Sequence, residues 1–209
     1  MNKKERVKKI IEILCNEYGN AECTLDYETP LQLLISTILA AQCTDARVNI
    51  VTKDLYKKYA DVSQFANANL EELEQDIKAT GFYRNKAKNI IASCKLIKEK
   101  FNENVPDNME DLLSLNGVGR KTANLILGEV YGKSAVVVDT HCTRLTNRIG
   151  LTKNKDATKI EFDLKKIIEP EDQLKFCHLM VCHGRNVCKA RKPMCDECSI
   201  KEICKKNIQ

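Results

Sequence analysis

The residues from Leu115 to Asn124 read Leu-Asn-Gly-Val-Gly-Arg-Lys-Thr-Ala-Asn and combine two glycines with two adjacent cations. Gly117 and Gly119 permit positive φ and close backbone approach, so their amides can point at an oxyanion beside the positive end of a following helix. A DNA phosphate is such an oxyanion, although an ordinary tight turn between helices also needs glycine. Lys121 adds a candidate nucleophile, because a lysine amine can form a Schiff base.

Two helices are predicted to flank this turn. Acidic residues after Pro106 indicate a helix start, and Gly117 ends that helix. Apolar residues at helical spacing predict a second helix from Arg120 to about Tyr131, with Gly132 as its terminator. The pattern is typical of a helical hairpin.

Composition predicts an all-α fold. The 209 residues, with eight glycines and four prolines, suffice for one large or two small domains. The β-branched run at 136–138 lacks a partner strand, so we expect a buried connector into a helix capped by Asp139 or Thr140. Asp139 is therefore either a plain helix cap or a carboxylate aimed at a reacting group.

Near the C-terminus, four of the eleven cysteines form a C-x6-C-x2-C-x5-C pattern: Cys188, Cys195, Cys198 and Cys204. We expect neither a signal peptide nor a transmembrane segment, which favours a reducing compartment and a metal site over disulfides. Zinc sites usually show ligand pairs at short spacing, and only one such pair occurs here. Iron–sulfur clusters accept wider spacings, so the pattern modestly favours [4Fe-4S]. The other seven cysteines are predicted to be small core residues.

The net charge of +5, from 34 basic and 29 acidic residues, suits an anionic partner but is too small to identify one. The distribution is more informative. Arg120 lies beside Lys121, and a second basic group, Lys189, Arg191 and Lys192, lies between the first two cysteines of the pattern. This second group is either a solvated loop or a phosphate contact.

Taken together, these features resemble the endonuclease III family of helix-hairpin-helix, iron–sulfur DNA glycosylases. The family pattern L-P-G-V-G-R-K-T-A-N matches residues 115–124 with one departure, Asn116 in place of proline, and all four cysteine spacings match. The similarity extends to residues 41–45, 81–87 and 183–185, so it spans nearly the whole chain apart from the first twenty residues.

The resemblance implies the helix-hairpin-helix glycosylase fold, which has two helical domains with a DNA-binding groove between them. One is a six-helix domain, residues 22–132, with the hairpin at about 109–131. The other is discontinuous, residues 1–21 and 133–209, and carries the cluster loop at 188–204. The resemblance also implies one [4Fe-4S] cluster held by the four cysteines, most simply as a structural element.

It further implies a bifunctional enzyme of base excision repair, a DNA glycosylase and abasic-site lyase acting on oxidised or ring-saturated pyrimidines. Lys121 would attack C1′ of the damaged nucleotide, and Asp139 would stabilise positive charge on the sugar and assist proton transfer. The partner is double-stranded DNA containing damaged bases or abasic sites. We expect a monomer without membrane contact, cytoplasmic and nucleoid-associated, in a bacterium or archaeon.

Such an enzyme must rotate a nucleotide out of the stack, and side chains must fill the gap. Gln42 and Phe82 match the family positions that enter the duplex, Phe82 being larger than the leucine often found there. Alternatively, Gln42 is a polar residue at a helix end and Phe82 is an aromatic residue of the core. His141 matches a family histidine near the active site, which would contact a phosphate or the pocket. Alternatively, it is a structural histidine. The remaining expected DNA contacts are the hairpin residues Gly117, Val118, Gly119 and Arg120 and the basic residues Lys189, Arg191 and Lys192.

Other functions are possible for the same residues. An adenine or thymine mismatch glycosylase of the same superfamily shares the hairpin but usually lacks a lysine at position 121. A non-catalytic helix-hairpin-helix module would bind DNA without sequence preference. A ferredoxin-like electron carrier would explain the cysteines and leave Lys121 and Asp139 without a role.

Overall fold

The computed structural model describes residues 1–19 and 21–208, which contain helices and no strand. The predicted all-α fold is therefore confirmed. Two short 3-10 segments span Lys78–Thr80 and Pro170–Asp172. The α-helices are α1 Lys3–Tyr18, α2 Pro30–Leu39, α3 Asp45–Lys58, α4 Val62–Ala66, α5 Leu70–Asp76, α6 Tyr83–Lys100, α7 Met109–Ser114, α8 Arg120–Glu129, α9 Thr140–Ile149, α10 Ala157–Lys165 and α11 Gln173–Asn186. None of these helices combines the length and the apolar character that crossing a membrane requires.

The chain divides into two compact units. One unit is Cys23–Gly132 and contains α2 to α8. The other combines Met1–Glu22 with Lys133–Gln209 and contains α1 and α9 to α11.

Helix α6 runs through the core of the Cys23–Gly132 unit and packs against α2, α4 and α5. Its buried apolar face carries Ile90, Cys94 and Ile97, which recur at helical spacing. Two polar residues of the same helix, Lys86 and Ser93, are also buried. Polar side chains in such a position need hydrogen-bond partners, and both donate to backbone carbonyls outside α6: Lys86 to Leu39 and Thr80, and Ser93 to Asn116.

In the other unit, α11 packs against α1 and α9. A capping box starts α1, because the Asn2 side chain accepts from the Glu5 amide at 3.0 Å while the Asn2 amide donates to the Glu5 carboxylate at 2.9 Å. Leu14, Leu145 and Phe176, one from each of the three helices, are fully buried. This packing fixes α9, the helix that begins directly after Asp139.

The two hairpin helices begin at about the predicted residues, 109 and 120, and differ from the prediction at their C-terminal ends. Helix α7 begins at Met109, because the Asn108 side chain accepts the Asp111 amide at 3.0 Å and so serves as the cap. Helix α8 ends at Glu129, two residues before the predicted Tyr131. The 136–138 run is a buried connector, as predicted, and it leads into α9.

The predicted core location of the seven remaining cysteines is correct for Cys94, Cys142 and Cys177, which are buried. It is wrong for the other four, which are only half-buried: Cys15, Cys23, Cys43 and Cys182. Residue type alone does not separate a cysteine of the core from one nearer the surface.

Candidate functional site

The hairpin between α7 and α8 is built around a glycine with positive φ. Gly117 has φ +77°, a region that only glycine adopts without strain, and the Val118 amide donates to the Leu115 carbonyl at 3.2 Å across the turn. Leu115 and Val118 are buried, whereas Gly117 and Gly119 face solvent. The apolar pair anchors the turn and leaves the glycine backbone accessible.

The N-terminus of α8 has the properties of an anion site. Gly119 is its N-cap residue, and within the described residues no side chain caps this end. The first-turn amides, which no side-chain cap engages, and the helix dipole therefore favour a negative group here. A Cβ placed on Gly119 would meet nothing within 4 Å, so the approach to these amides is open.

Helix α6 supports the hairpin turn from behind. The Ser93 hydroxyl donates to the Asn116 carbonyl at 2.8 Å. A Cβ on Gly117 would lie 2.9 Å from the Asn89 side-chain nitrogen, so α6 packs directly against the turn. The departure from the family proline at Asn116 leaves this carbonyl contact in place.

Lys121 is an exposed residue in the first turn of α8. Burial raises the pKa of the nearby Cys23 thiol to about 11, and the positive charge of Lys121 acts in the opposite direction. The amine thus lies on the same side of the unit as Cys23 and is accessible to a ligand.

Gln42 and Phe82 share an uncommon backbone conformation. Both have left-handed backbones, with φ 55° for Gln42 and φ 48° for Phe82, and both side chains are exposed. Phe82 is 63% exposed, which rules out a core aromatic. Left-handed non-glycine residues cost about 1–2 kcal/mol each, and such strain concentrates at functional sites.

Asp139 lies in the other unit, at the start of α9. One carboxylate oxygen, Oδ1, accepts the Cys142 amide at 2.7 Å, so the predicted capping role is confirmed for Asp139 rather than Thr140. The cap fixes the orientation of a carboxylate that is half-exposed at the end of a buried connector. The capping role and a chemical role are compatible, because a carboxylate has two oxygens.

His141 is half-buried in the first turn of α9 and lies against Arg144 and Gly184. The His141 Nδ1 and Arg144 Nη2 atoms are 3.2 Å apart, and Arg144 also donates to the carbonyls of Gly184 and Cys188 at 3.1 and 3.0 Å. A Cβ on Gly184 would lie 2.5 Å from His141 Nδ1. The glycine of the His183-Gly184-Arg185 segment is therefore required by close packing.

The four cysteines of the C-terminal pattern line one cavity: Cys188, Cys195, Cys198 and Cys204. The cavity walls are otherwise mainly apolar, with Leu145, Ile149 and Ile200 among them. None of the cysteines is in a disulfide. Thiolate ligands in an apolar pocket suit an iron–sulfur cluster.

Two side chains approach the sulfurs of this cavity. His183 Nε2 lies 3.4 Å from Cys198 Sγ, while its Nδ1 lies 2.9 Å from the Tyr18 hydroxyl. The Arg148 guanidinium lies 3.5 Å from Cys188 Sγ. These groups can hydrogen-bond sulfur and offset its negative charge.

No three or more His, Cys, Asp or Glu side chains of the described part converge closely enough to hold a single metal ion. A zinc ion would need its ligand sulfurs about 2.3 Å from one centre. Ligands of a four-iron cluster bind different irons and stand further apart. The four sulfurs of the described residues line one cavity without converging on one point.

The basic loop after Cys188 is held by its backbone. Arg148 donates to the carbonyls of Lys189 and Ala190 at 2.7 and 2.9 Å. The side chains predicted to contact DNA, Lys189, Arg191 and Lys192, are exposed. The loop backbone is thus fixed to α9 while its cations face solvent.

The predicted site residues divide between the two units. The Cys23–Gly132 unit carries Gln42, Phe82, Lys121 and the hairpin. The other unit carries Asp139 and the remaining predicted residues: His141, Lys189, Arg191, Lys192, Cys188, Cys195, Cys198 and Cys204.

Sequence reasoning assigned no role to four residues that hold these groups in place: Lys86, Ser93, Arg144 and Arg148. The sequence nevertheless contains a signal for the pair Lys86 and Ser93 and for the pair Arg144 and Arg148. Lys86 and Ser93 interrupt an apolar helix face, and Arg144 and Arg148 are one helical turn apart.

The comparisons with known proteins agree with the all-α fold. Residues 35–170 match the HhH-GPD superfamily of base excision DNA repair proteins. Endonuclease III of Synechocystis sp. is 50% identical over 204 residues, covering 97% of this chain and 93% of the relative. Endonuclease III of Bacillus subtilis is 39% identical, covering 96% and 92%.

Solved structures give the same answer. A non-covalent endonuclease III–DNA complex aligns with a TM-score of 0.92 and 39% identity, covering 99% of this chain and 97% of that one. A trapped covalent endonuclease III–DNA intermediate with an estranged adenine aligns equally well, with a TM-score of 0.92. The chain belongs to the endonuclease III family within the HhH-GPD superfamily.

Proposed function

We propose that this protein is a bifunctional DNA glycosylase and abasic-site lyase of base excision repair, acting on oxidised or ring-saturated pyrimidines in double-stranded DNA. One observation carries the proposal. An exposed lysine, Lys121, lies in the first turn of a helix whose N-terminus has no side-chain cap and follows a glycine turn. A phosphate-binding site and a nucleophile therefore lie together.

Recognition of the lesion begins with rotation of the damaged nucleotide out of the duplex, at a cost of a few kcal/mol. Gln42 and Phe82, exposed on strained backbones, fill the space that the nucleotide leaves. The hairpin amides of residues 117–119 and Arg120 hold the phosphate backbone. The cations of the 189–192 loop and His141 add contacts from the other unit.

Lys121 then carries the chemistry. Its Nζ bonds to C1′ as the bond from C1′ to the base breaks, and the base leaves with the electron pair and takes up a proton. Opening of the sugar ring gives an imine between Lys121 and C1′. Loss of a proton from C2′ expels the 3′ phosphate by β-elimination, and hydrolysis of the imine frees the lysine.

Asp139 supports these steps electrostatically. Its Oδ1 is held by the Cys142 amide, and no hydrogen bond within the described residues engages Oδ2. We assign Oδ2 the stabilisation of positive charge on the sugar and the transfer of protons during base release.

The four cysteines would hold one [4Fe-4S] cluster, which supplies structure rather than a step of the reaction. Support comes from their common cavity and from the groups facing their sulfurs. When bound, the cluster ties the 188–204 segment together and, with Arg148, holds the basic loop in position for the phosphate backbone. We place the protein in the cytoplasm as a monomer.

The proposal is tested on a duplex with a single thymine glycol, by comparing strand cleavage with and without hot alkali. A bifunctional enzyme cleaves equally in both, because Lys121 performs the elimination. Cleavage that requires alkali would indicate a monofunctional mismatch-type glycosylase. Binding without base release would indicate a DNA-binding module.

A further inference from the structure

Lys86 is a buried cation without a carboxylate partner among its described contacts. Its side chain is on α6 and is only 4% exposed. Its ammonium donates to two backbone carbonyls, Leu39 at 2.8 Å and Thr80 at 2.8 Å. Burial lowers the pKa of Lys86, so the charged form is held against a desolvation cost. A lysine that costs stability in this way calls for a compensating role.

The two carbonyls belong to the two segments that carry the exposed, left-handed residues. Leu39 is the last residue of α2, where carbonyls lack an intrahelical partner, and Gln42 follows three residues later. Thr80 ends a 3-10 segment, and Phe82 follows two residues later. A single ammonium thus joins the base of both loops.

The same face of α6 also reaches the hairpin. Lys86, Asn89 and Ser93 are spaced at i, i+3 and i+7, so they align on one side of the helix. Asn89 packs against Gly117, and Ser93 donates to the Asn116 carbonyl at 2.8 Å. One helix face therefore supports three loops of the proposed DNA interface.

We propose that Lys86 is a positioning residue that fixes the spacing and orientation of Gln42 and Phe82, so that both enter the duplex together when the damaged nucleotide leaves it. The inference rests on the proposed function, which assigns the gap-filling role to Gln42 and Phe82. Lys86 itself touches neither DNA nor the reacting atoms; it acts through the Leu39 and Thr80 carbonyls.

The test uses the full-length protein and a duplex with a tetrahydrofuran abasic analogue opposite 2-aminopurine, whose fluorescence rises when it is unstacked. Lys86→Met removes the donors at nearly constant length. We expect the fluorescence rise at saturating protein to fall to that of the Gln42→Ala/Phe82→Ala variant. Single-turnover excision of thymine glycol should fall about tenfold to a hundredfold, as for a misplacement of about 1 Å.

Non-additivity distinguishes positioning from general destabilisation. Adding Lys86→Met to the Gln42→Ala/Phe82→Ala variant should lower excision by less than about twofold, because the groups it positions are already gone. Thr52→Val is the matched control: Thr52 is buried in the same unit, and its hydroxyl donates to the Val48 and Asn49 carbonyls of its own helix at 3.1 and 3.3 Å, not to Leu39 or Thr80. It should alter stability and leave the 2-aminopurine signal unchanged.

A full, additive loss in the combined variant, or the same loss of signal in Thr52→Val, would overturn the inference. Should Lys86→Met not fold, the test is repeated with Lys86→Gln, which keeps two N–H donors on a shorter side chain. Unchanged signal and excision in Gln42→Ala/Phe82→Ala would remove the gap-filling role and this inference with it. The lyase proposal would then still be judged separately, by the adduct of Lys121 with an abasic site.

Discussion

Replacing each hairpin glycine by alanine separates folding from phosphate binding. Gly117 has φ +77°, and a Cβ there would lie 2.9 Å from the Asn89 side-chain nitrogen. An L-residue in this conformation costs about 1–2 kcal/mol, and the stiffer unfolded chain returns about 0.4–1 kcal/mol. Since Asn89 must also shift, we expect Gly117→Ala to lower the free energy of unfolding by about 1 kcal/mol.

Gly119→Ala is expected to leave the free energy of unfolding nearly unchanged. Its φ is −103°, which alanine adopts freely, and a Cβ would meet nothing within 4 Å. The gain from a stiffer unfolded chain offsets the loss of a better N-cap residue, so we expect a change within about 0.5 kcal/mol. The added methyl group would nevertheless stand where a phosphate approaches the α8 amides.

Urea unfolding measures the first effect, and duplex binding over a series of salt concentrations measures the second. Gly119→Ala should weaken binding and make the slope of log K against log[salt] shallower by about 0.9, the loss of one phosphate contact. Equal stability of the two variants would contradict the backbone argument. Wild-type affinity and slope for Gly119→Ala would refute phosphate binding at this turn.

Three further outcomes follow from the structure. Asp139→Asn should keep the α9 cap, so its free energy of unfolding should stay within about 0.5 kcal/mol of wild type, yet it should slow base excision at least about a hundredfold. Asp139→Ala should slow excision and also lower the free energy of unfolding by about 1 kcal/mol, because the cap is lost. Urea unfolding and single-turnover kinetics measure the two effects. Cys198→Ser should weaken duplex binding, and undiminished binding by a folded, cluster-free protein would contradict a structural cluster. Hydrogen bonds from Thr152, and then from Asn154, hold the pKa of Asp163 below its usual 3.8. The stabilisation of the folded state by the ionised Asp163 is present above pH 3.8 and is lost as the pH falls through the lower pKa of the folded state. The difference in stability between wild type and Asp163→Asn should therefore shrink in acid unfolding.

Much of the local structure of the candidate site could be predicted from sequence because its signals are local. Gly117 and Gly119 mark the turn, and Asp139 marks a helix start after an apolar run. Each of these depends on residues within one or two helical turns, where capping and φ preferences act directly.

The supporting contacts could not be predicted in the same way. Lys86 reaches carbonyls 47 and 6 residues away, and Arg148 reaches a carbonyl 41 residues away. Backbone carbonyls have no side-chain signature, so a lysine on an apolar helix face is recognisable as unusual in the sequence, but the carbonyls that it binds are not. The half-buried cysteines were misplaced because residue type alone does not fix depth: Cys15 and Cys182 are on helices, whereas Cys23 and Cys43 are in connecting segments.

The most direct test of the central claim is borohydride trapping on a duplex containing thymine glycol. The wild-type protein should form a stable covalent adduct with the DNA, and Lys121→Gln should form none while still binding the duplex. Asp139→Asn should form the adduct more slowly. An adduct of undiminished yield in Lys121→Gln, or none with wild type, would contradict the role of Lys121 as the nucleophile.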